Sequence, residues 1–439
     1  MYRDRRAISA RRGMLRPIWS HPECPTKEDI RDELRRSEVK AILPHSDFPV
    51  LEKRPLILAL VPQTVGIRCA IISRMMTPTI ERLLRDCDCG EIPRRNFLLS
   101  LAPLTAGLRG MAQSSAPTIP LRALNHVTLT VSDVKRSLEF YQGLFGMPIQ
   151  NRQTSMSASL QIGLGPQHIG LGRGGANAKP GINHFCVTTD NFEVDRILQV
   201  LAAHGVTKLD PLDANFPARG GALKSRVRIR REDAGGTKEG TPELYFTDPD
   251  GIVVQLQHTS YCAGSGYLGE VCPNKPEPAP TRGVLALRDL NHVTLGVSNQ
   301  QRSREFYRDL FGMKVQAYQG PSPVHAIGSG PQFMAFGAGS ANGGIPRTPN
   351  IAHFCMTVDK FELDRVLKAL ADFGVKPRGN SAGPVVPLTS YVSMRMEDRG
   401  GAREGTPELY FTDPDGIVVQ LQDTRYCGGA GYLGDVCRP

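Results

Sequence analysis

The chain has 439 residues, of which 40% are hydrophobic and 22% charged, enough for two or three globular domains. No apolar run approaches the roughly 20 residues that cross a bilayer, so no membrane-spanning helix is expected. The net charge of +10 is unevenly placed: residues 1–112 hold 20 Lys+Arg against 13 Asp+Glu, and the other 327 hold 33 against 30. The basic excess therefore lies in the N-terminal quarter, and the remainder gives no reason to expect a nucleic-acid partner.

Residues 1–92 carry no clean periodic pattern. They read as a poorly structured extension, or as the product of a start placed too far upstream, with Met75 or Met76 the better start. Residues 93–112, "PRRNFLLSLAPLTAGLRGMA", follow a charged, apolar, small-residue order. Arg94-Arg95 before Phe97-Leu98 resembles a twin-arginine export signal, with cleavage expected near Ala112 and a periplasmic or secreted address.

Beyond that point "HVTLTV" alternates as a strand. Ser132 is a candidate cap for a helix whose Val134, Leu138, Tyr141 and Phe145 fall near helical spacing, with Gly146 as its end. Short strands are expected around 160–172. "HFCVTT" begins a second round, in which Asp190 or Asn191 starts a helix carrying Phe192, Ile197, Leu198 and Leu201. Strands around 225–231, 243–247 and 252–258 follow, the last two joined by the turn "DPDG". The whole pattern then repeats. Residues 124–147 return at 290–313, 182–206 at 351–375, and "GTPELYFTDPDGIVVQLQ" recurs unchanged at 240–257 and 405–422. Two domains, 117–272 and 284–439, are thus joined by the Pro-rich linker 273–283. Each holds two βαβββ units, so the chain holds four, in an α+β fold.

The cysteines add a separate signal. Cys262 and Cys272, and likewise Cys427 and Cys437, flank Gly-rich loops of nine residues. Such loops bring their ends together easily, and too few other ligands stand nearby for a metal. Two local disulfides in an oxidising compartment are expected. Cys186 and Cys355 lie in apolar strands and read as buried thiols.

A His at the start of each unit's first strand, with "DPDG" before the last strand, resembles the vicinal oxygen chelate superfamily. Glyoxalase I, extradiol dioxygenases, fosfomycin- and bleomycin-resistance proteins and methylmalonyl-CoA epimerase are members. The resemblance covers about 120–260 and 286–425. It implies two glyoxalase/extradiol-dioxygenase-like domains, each a cup with one divalent metal (Fe, Mn, Zn or Ni) at its floor. Carried over residue by residue, the metal positions are His126, His184 and Gln255, then His292, His353 and Gln420. The active-site Tyr of the extradiol enzymes falls on Tyr245 and Tyr410. Strand alternation independently turns Gln255 and Gln257 to one face, and Glu243 and Tyr245 likewise. Glu243, Gln257, Glu408 and Gln422 are accordingly expected to face the cups.

Three departures bear on function. Extradiol enzymes place Glu where both Gln residues stand; some glyoxalase I enzymes use Gln, but from another strand. The segment 231–242 lacks the His that ring-cleaving enzymes use as acid/base. His168 ends the first unit, but its counterpart in the second copy is Gln332. Glyoxalase I also needs a carboxylate to move a proton, and the nearest candidates are Glu243 and Glu408. The first expectation is an exported metal-dependent lyase, isomerase or dioxygenase acting on a small molecule with vicinal oxygens. The alternative is a metal-free cup binding an antibiotic or aromatic ligand, as bleomycin-resistance proteins do, with no cofactor because Gln does not ligate. A third class is a structural module descended from an enzyme. A homodimer is left open, as is whether cups form within each domain or by exchange of units between them.

Overall fold

The computed structural model describes residues 118–437 apart from 176, 210–220, 339–347 and 380–385. The extension 1–92 and the signal-like segment 93–112 lie outside the described residues. The first half runs β1 (Ala123–Val131), α1 (Val134–Phe145), β2 (Ile149–Asn151), β3 (Ser157–Gln161), β4 (His168–Arg173), β5 (Gly181–Thr189), α2 (Val194–Ala203), β6 (Thr207–Lys208), β7 (Lys224–Arg230), β8 (Thr241–Thr247) and β9 (Val253–His258). The second half repeats it as β10 (Leu287–Val297), α3 (Gln300–Phe311), β11 (Val315–Gln319), β12 (Ser322–Ala326), β13 (Phe333–Ala338), β14 (Asn350–Val358), α4 (Leu363–Asp372), β15 (Lys376–Pro377), β16 (Thr389–Arg395), β17 (Thr406–Thr412) and β18 (Val418–Asp423). No helix among the described residues is long and apolar enough to cross a membrane.

Each half forms one nine-stranded sheet, in the order β2-β3-β4-β1-β5-β9-β8-β7-β6 and its repeat. The two units of a half meet where β1 runs antiparallel to β5. Both cups therefore form within a half, which settles the choice between internal cups and exchanged units.

Two helix starts differ from expectation. Asp133, not Ser132, caps α1, its carboxylate accepting from the Arg136 amide. Asp133 is the residue directly before the first helical position, and Ser132 is engaged by Asp415. The α2 helix begins at Val194 after Glu193, past Asp190 and Asn191, and the Asp190 side chain pairs with Arg122. Gly146 ends α1 as expected, with φ of 66°. A side chain there would also strike the Gly283 backbone, 2.6 Å from an ideal Cβ.

The halves share one hydrophobic core. Phe140 and Phe145 of α1 reach Phe411 on β17, while Phe306 and Phe311 of α3 reach Phe246 on β8. The doubled "DPDG" turn locks this arrangement. Asp248 accepts from the amides of Asp250 and Ile252 to build its own turn, and from the Tyr307 hydroxyl across the interface at 3.2 Å. Asp250 takes Ser298 and Arg302 of the other half. Asp413 and Asp415 return the same bonds to Tyr141, Ser132 and Arg136. The turn thus doubles as a clasp, which is why Ser132 does not cap its helix. The linker is also fixed in place: Glu277 pairs with Ile149 through the backbone and with Arg152 through its side chain.

Candidate functional site

In the first cup β1, β5 and β9 lie side by side, and the register puts His126 and Gln255 on either side of Cys186. Alternation keeps Cys186, two residues beyond His184, on the same face as these ligand positions, where it is a buried free thiol. The three cup-facing side chains converge: Gln255 Oε1 lies 3.1 Å from His126 Nε2 and 3.0 Å from His184 Nε2. In the second cup Gln420 Oε1 lies 3.1 Å from His292 Nε2, and the rings of His292 and His353 stand 5.5 Å apart, as do those of His126 and His184. The six expected metal positions are thus brought together as two triads.

Neighbouring amides set the imidazole tautomers. Asn125 donates its side-chain N–H to the Tyr261 carbonyl, which turns its Oδ1 toward His126 Nδ1 at 2.8 Å. An acceptor there places the proton on Nδ1 and leaves a lone pair on Nε2. Asn183 Oδ1 meets His184 Nδ1 in the same way at 2.8 Å. In the second cup Asn291 serves His292, but Ala352 stands where Asn183 does. Burial first, then the other imidazoles nearby, holds His126 well below the ordinary histidine range. Burial likewise lowers His184 and His353 to about 4. All stay neutral, as metal ligands must be.

Whether the triad fits a metal is decided by its lone pairs. With Gln255 Oε1 inward, three acceptors face one point, and the Gln255 amide nitrogen is buried without a hydrogen-bond partner among the described residues. Two cis ligands about 2.1 Å from a common ion stand roughly 3.0 Å apart, matching the observed separations. The donors fit a divalent cation, though as a neutral set. Among the described residues no group of three or more His, Cys, Asp or Glu is placed to hold one, because the third donor is an amide.

Glu243 lines the cup, but its carboxylate is fully engaged. Arg230 Nε and the Tyr261 hydroxyl both donate to Oε1 at 2.9 Å, and the Tyr245 hydroxyl donates to Oε2 at 3.3 Å. Arg230 in turn donates to the carbonyls of Gly235, Ala263 and Gly264, the last two in the loop closed by the Cys262–Cys272 disulfide. Glu408, Arg395, Tyr410, Tyr426 and the Cys427–Cys437 loop repeat the network. Both expected disulfides are present. Tyr245 meets His184 edge-on, ring centroids 5.4 Å apart, and Tyr410 meets His353 at 5.3 Å. Burial, then Glu243, raises the Tyr245 hydroxyl well above its ordinary value, so it is a donor and not a base.

Gln257 and Gln422 are corrected. Both are fully buried, donating to the Pro242 and Pro407 carbonyls, and Gln257 does not line the cavity. They share the strand face of Gln255 and Gln420, but at that end the Arg-Glu-Tyr network fills the cup. The counterpart of His168 is also corrected. In the parallel register His168 lies beside His126, and Phe333 beside His292, so Gln332 answers Gln167 instead. Those two Gln residues serve the seam between halves: Gln167 accepts from the Leu290 amide and Gln332 from the Leu124 amide, each at 2.9 Å.

Sequence reasoning missed His168 as a cup residue: it stacks on His126 at 4.4 Å, and burial lowers it to about 4. It also missed Arg226 and Arg228, which line a first-cup cavity of about 490 Å³ together with His126, His184 and Tyr245. The alternation Arg226, Arg228, Arg230 along β7 was the available signal.

The family described as "Glyoxalase/Bleomycin resistance protein/Dioxygenase superfamily" matches residues 123–256 and 289–421. Similar solved structures include a catechol 2,3-dioxygenase, 14% identical over 71% of this chain and 88% of its own, with a TM-score of 0.44. A halotolerant catechol dioxygenase, BphC, is 18% identical over 71% and 87%, also at 0.44. The Mn(II)-bound glyoxalase from Novosphingobium aromaticivorans is 17% identical over 69% and 82%, at 0.43. No curated protein matches the sequence.

Proposed function

Since the chain belongs to the Glyoxalase/Bleomycin resistance protein/Dioxygenase superfamily, we infer that its first cup holds a divalent metal on His126, His184 and Gln255 and acts on a small molecule through two adjacent oxygens. The observation that carries this reading is the convergence of two imidazole lone pairs and one amide oxygen on a single buried point. A metal there supplies Lewis acidity toward the substrate oxygens. Asn125 and Asn183 fix the ring faces that such a role requires. Tyr245, kept protonated, can donate to a bound oxygen by turning its one proton away from Glu243 Oε2. Glu243 is held by Arg230 and Tyr261, so it is not the proton acceptor. His168 has Nδ1 engaged by the Pro166 carbonyl at 3.0 Å, which leaves Nε2 as its proton-accepting atom. The reaction is a lyase, isomerase or dioxygenase step. The second cup carries the same triad, but with Phe333 for His168 and Ala352 for Asn183 it is the weaker site.

A second reading rests on one specific feature. If the Gln255 amide is turned over, its two N–H groups satisfy both imidazole lone pairs and no cation is needed. The cup would then be a metal-free binding site. Elemental analysis of the full chain, beside His126→Ala/His292→Ala, separates the two. Stoichiometric metal that disappears in the variant supports the enzyme. Absence of metal after incubation with iron, manganese, nickel and zinc salts overturns it.

Export through a twin-arginine signal is part of the proposal. The two disulfides support it, since such bonds persist in oxidising compartments.

A further inference from the structure

We propose that the first cup selects a molecule carrying a negative charge, a carboxylate above all, beyond the oxygens it presents to the histidines, and that the second cup does not. The inference rests on the reading of the cup as a small-molecule site and adds the class of molecule.

The β7 strand turns Arg226, Arg228 and Arg230 to the cup face, where Arg226 lies opposite Tyr245 and Arg228 opposite Glu243. Arg230 is buried and committed to Glu243. The other two are not committed. Arg228 is half-exposed and stands 3.7 Å from a Glu243 oxygen, but that carboxylate is already balanced by Arg230. Arg226 has no ion pair or hydrogen bond among the described residues, and neither does Arg173, which lines the same cavity from the end of β4. Arg173, Arg226 and Arg228 face a cavity in which Glu243 is the sole lining carboxylate among the described residues, and Arg230 neutralises it from behind. A concave wall with one sign of charge concentrates counter-ions, and guanidinium groups pair a carboxylate through two N–H bonds.

The duplicated half is an internal control. It folds the same way with Tyr391 for Arg226, Ser393 for Arg228 and Ala338 for Arg173, so those arginines are not needed for the fold; only Arg230 returns, as Arg395. Tyr391 there stacks on Tyr410 with centroids 5.0 Å apart. Val324 replaces Ser159, and with Phe333, Ala335 and Tyr426 it forms an apolar cluster. At the three positions where the first copy carries arginines the second carries none: an apolar cluster lies nearby, and the Tyr391 ring is covered by Arg378 at 4.9 Å.

The test is calorimetry on the full chain with two probes that share a vicinal diol, catechol and 3,4-dihydroxybenzoate, at low and high NaCl. The wild-type chain should bind the acid at least about tenfold more tightly than catechol, with a preference that salt erodes. In Arg226→Gln/Arg228→Gln the ratio should fall to about one. Equal binding of both probes by the wild type, an unchanged ratio in the variant, or no binding of the acid overturns the proposal. His126→Ala/His184→Ala separates it from the metal reading. If that variant loses both probes while the arginine variant keeps the ratio, the charge selection fails and the site stands. If it keeps the acid preference and binds as before, the histidine site fails and the charge selection stands.

Discussion

Replacing Glu243 with Gln should destabilise the protein far more than a charge-neutralising change on a surface. The Arg230 and Glu243 side chains are 0% and 1% exposed, with Nε and Oε1 2.9 Å apart. Gln keeps an acceptor for Arg230 and for the Tyr261 hydroxyl but removes the one negative charge that pairs with the buried guanidinium among the described residues. Breaking a buried pair from one side costs about 3–5 kcal/mol. The carbonyls of Gly235, Ala263 and Gly264 keep the other Arg230 N–H groups satisfied, which places the loss near the lower end, about 3 kcal/mol. For a unit of this size that corresponds to a fall in melting temperature of about 6 °C. Urea unfolding followed by circular dichroism measures it, and Arg230→Met with the double variant completes a cycle that isolates the pair. A loss under about 1 kcal/mol, the value of an exposed ion pair, would refute the argument that this network is buried and structural.

Other outcomes follow from the same structure. Burial raises Asp248 and Asp413 to about 6, so between roughly pH 4 and 6 the folded state holds protons that the unfolded state releases. Their contribution to stability therefore falls as pH rises through that window, and Asp248→Asn/Asp413→Asn should flatten the slope there in pH-dependent unfolding. Removing the clasp with Asp250→Ala/Asp415→Ala should cost about 1.5–3 kcal/mol per site, since each loses bonds to a charged acceptor; an unchanged denaturation midpoint would contradict its role. Reducing the Cys262–Cys272 disulfide frees the loop whose carbonyls hold Arg230, with an expected loss of about 2–4 kcal/mol. Reductant should lower the melting temperature of the wild type and leave Cys262→Ser/Cys272→Ser/Cys427→Ser/Cys437→Ser unaffected.

Much of this was legible in the sequence because it rests on local periodicity. Alternation on β9 put Gln255 on the cup face, the repeat located all four histidines, and nine-residue Gly-rich loops gave both disulfides. What was hidden depends on distant partners. Nothing near Asp250 in the sequence announces Ser298 and Arg302, so "DPDG" reads as a turn and not as a clasp. Gln257 obeys the same alternation as Gln255, but the distant network around Arg230 closes the cup above it. The basic run at 224–231 looks like a solvated strand face until the register sets Arg228 opposite Glu243. His168 was paired with Gln332 because its true counterpart, Phe333, shares its position and not its chemistry.

The most direct test of the central claim is a crystal of the full chain soaked in a zinc salt, with anomalous data collected at the zinc edge. The account predicts a peak in the first cup at roughly 2.0–2.1 Å from the Nε2 atoms of His126 and His184, with Gln255 Oε1 as the third donor. No peak, with the Gln255 amide nitrogen turned toward both imidazoles, would contradict it and make the cup a metal-free binding site.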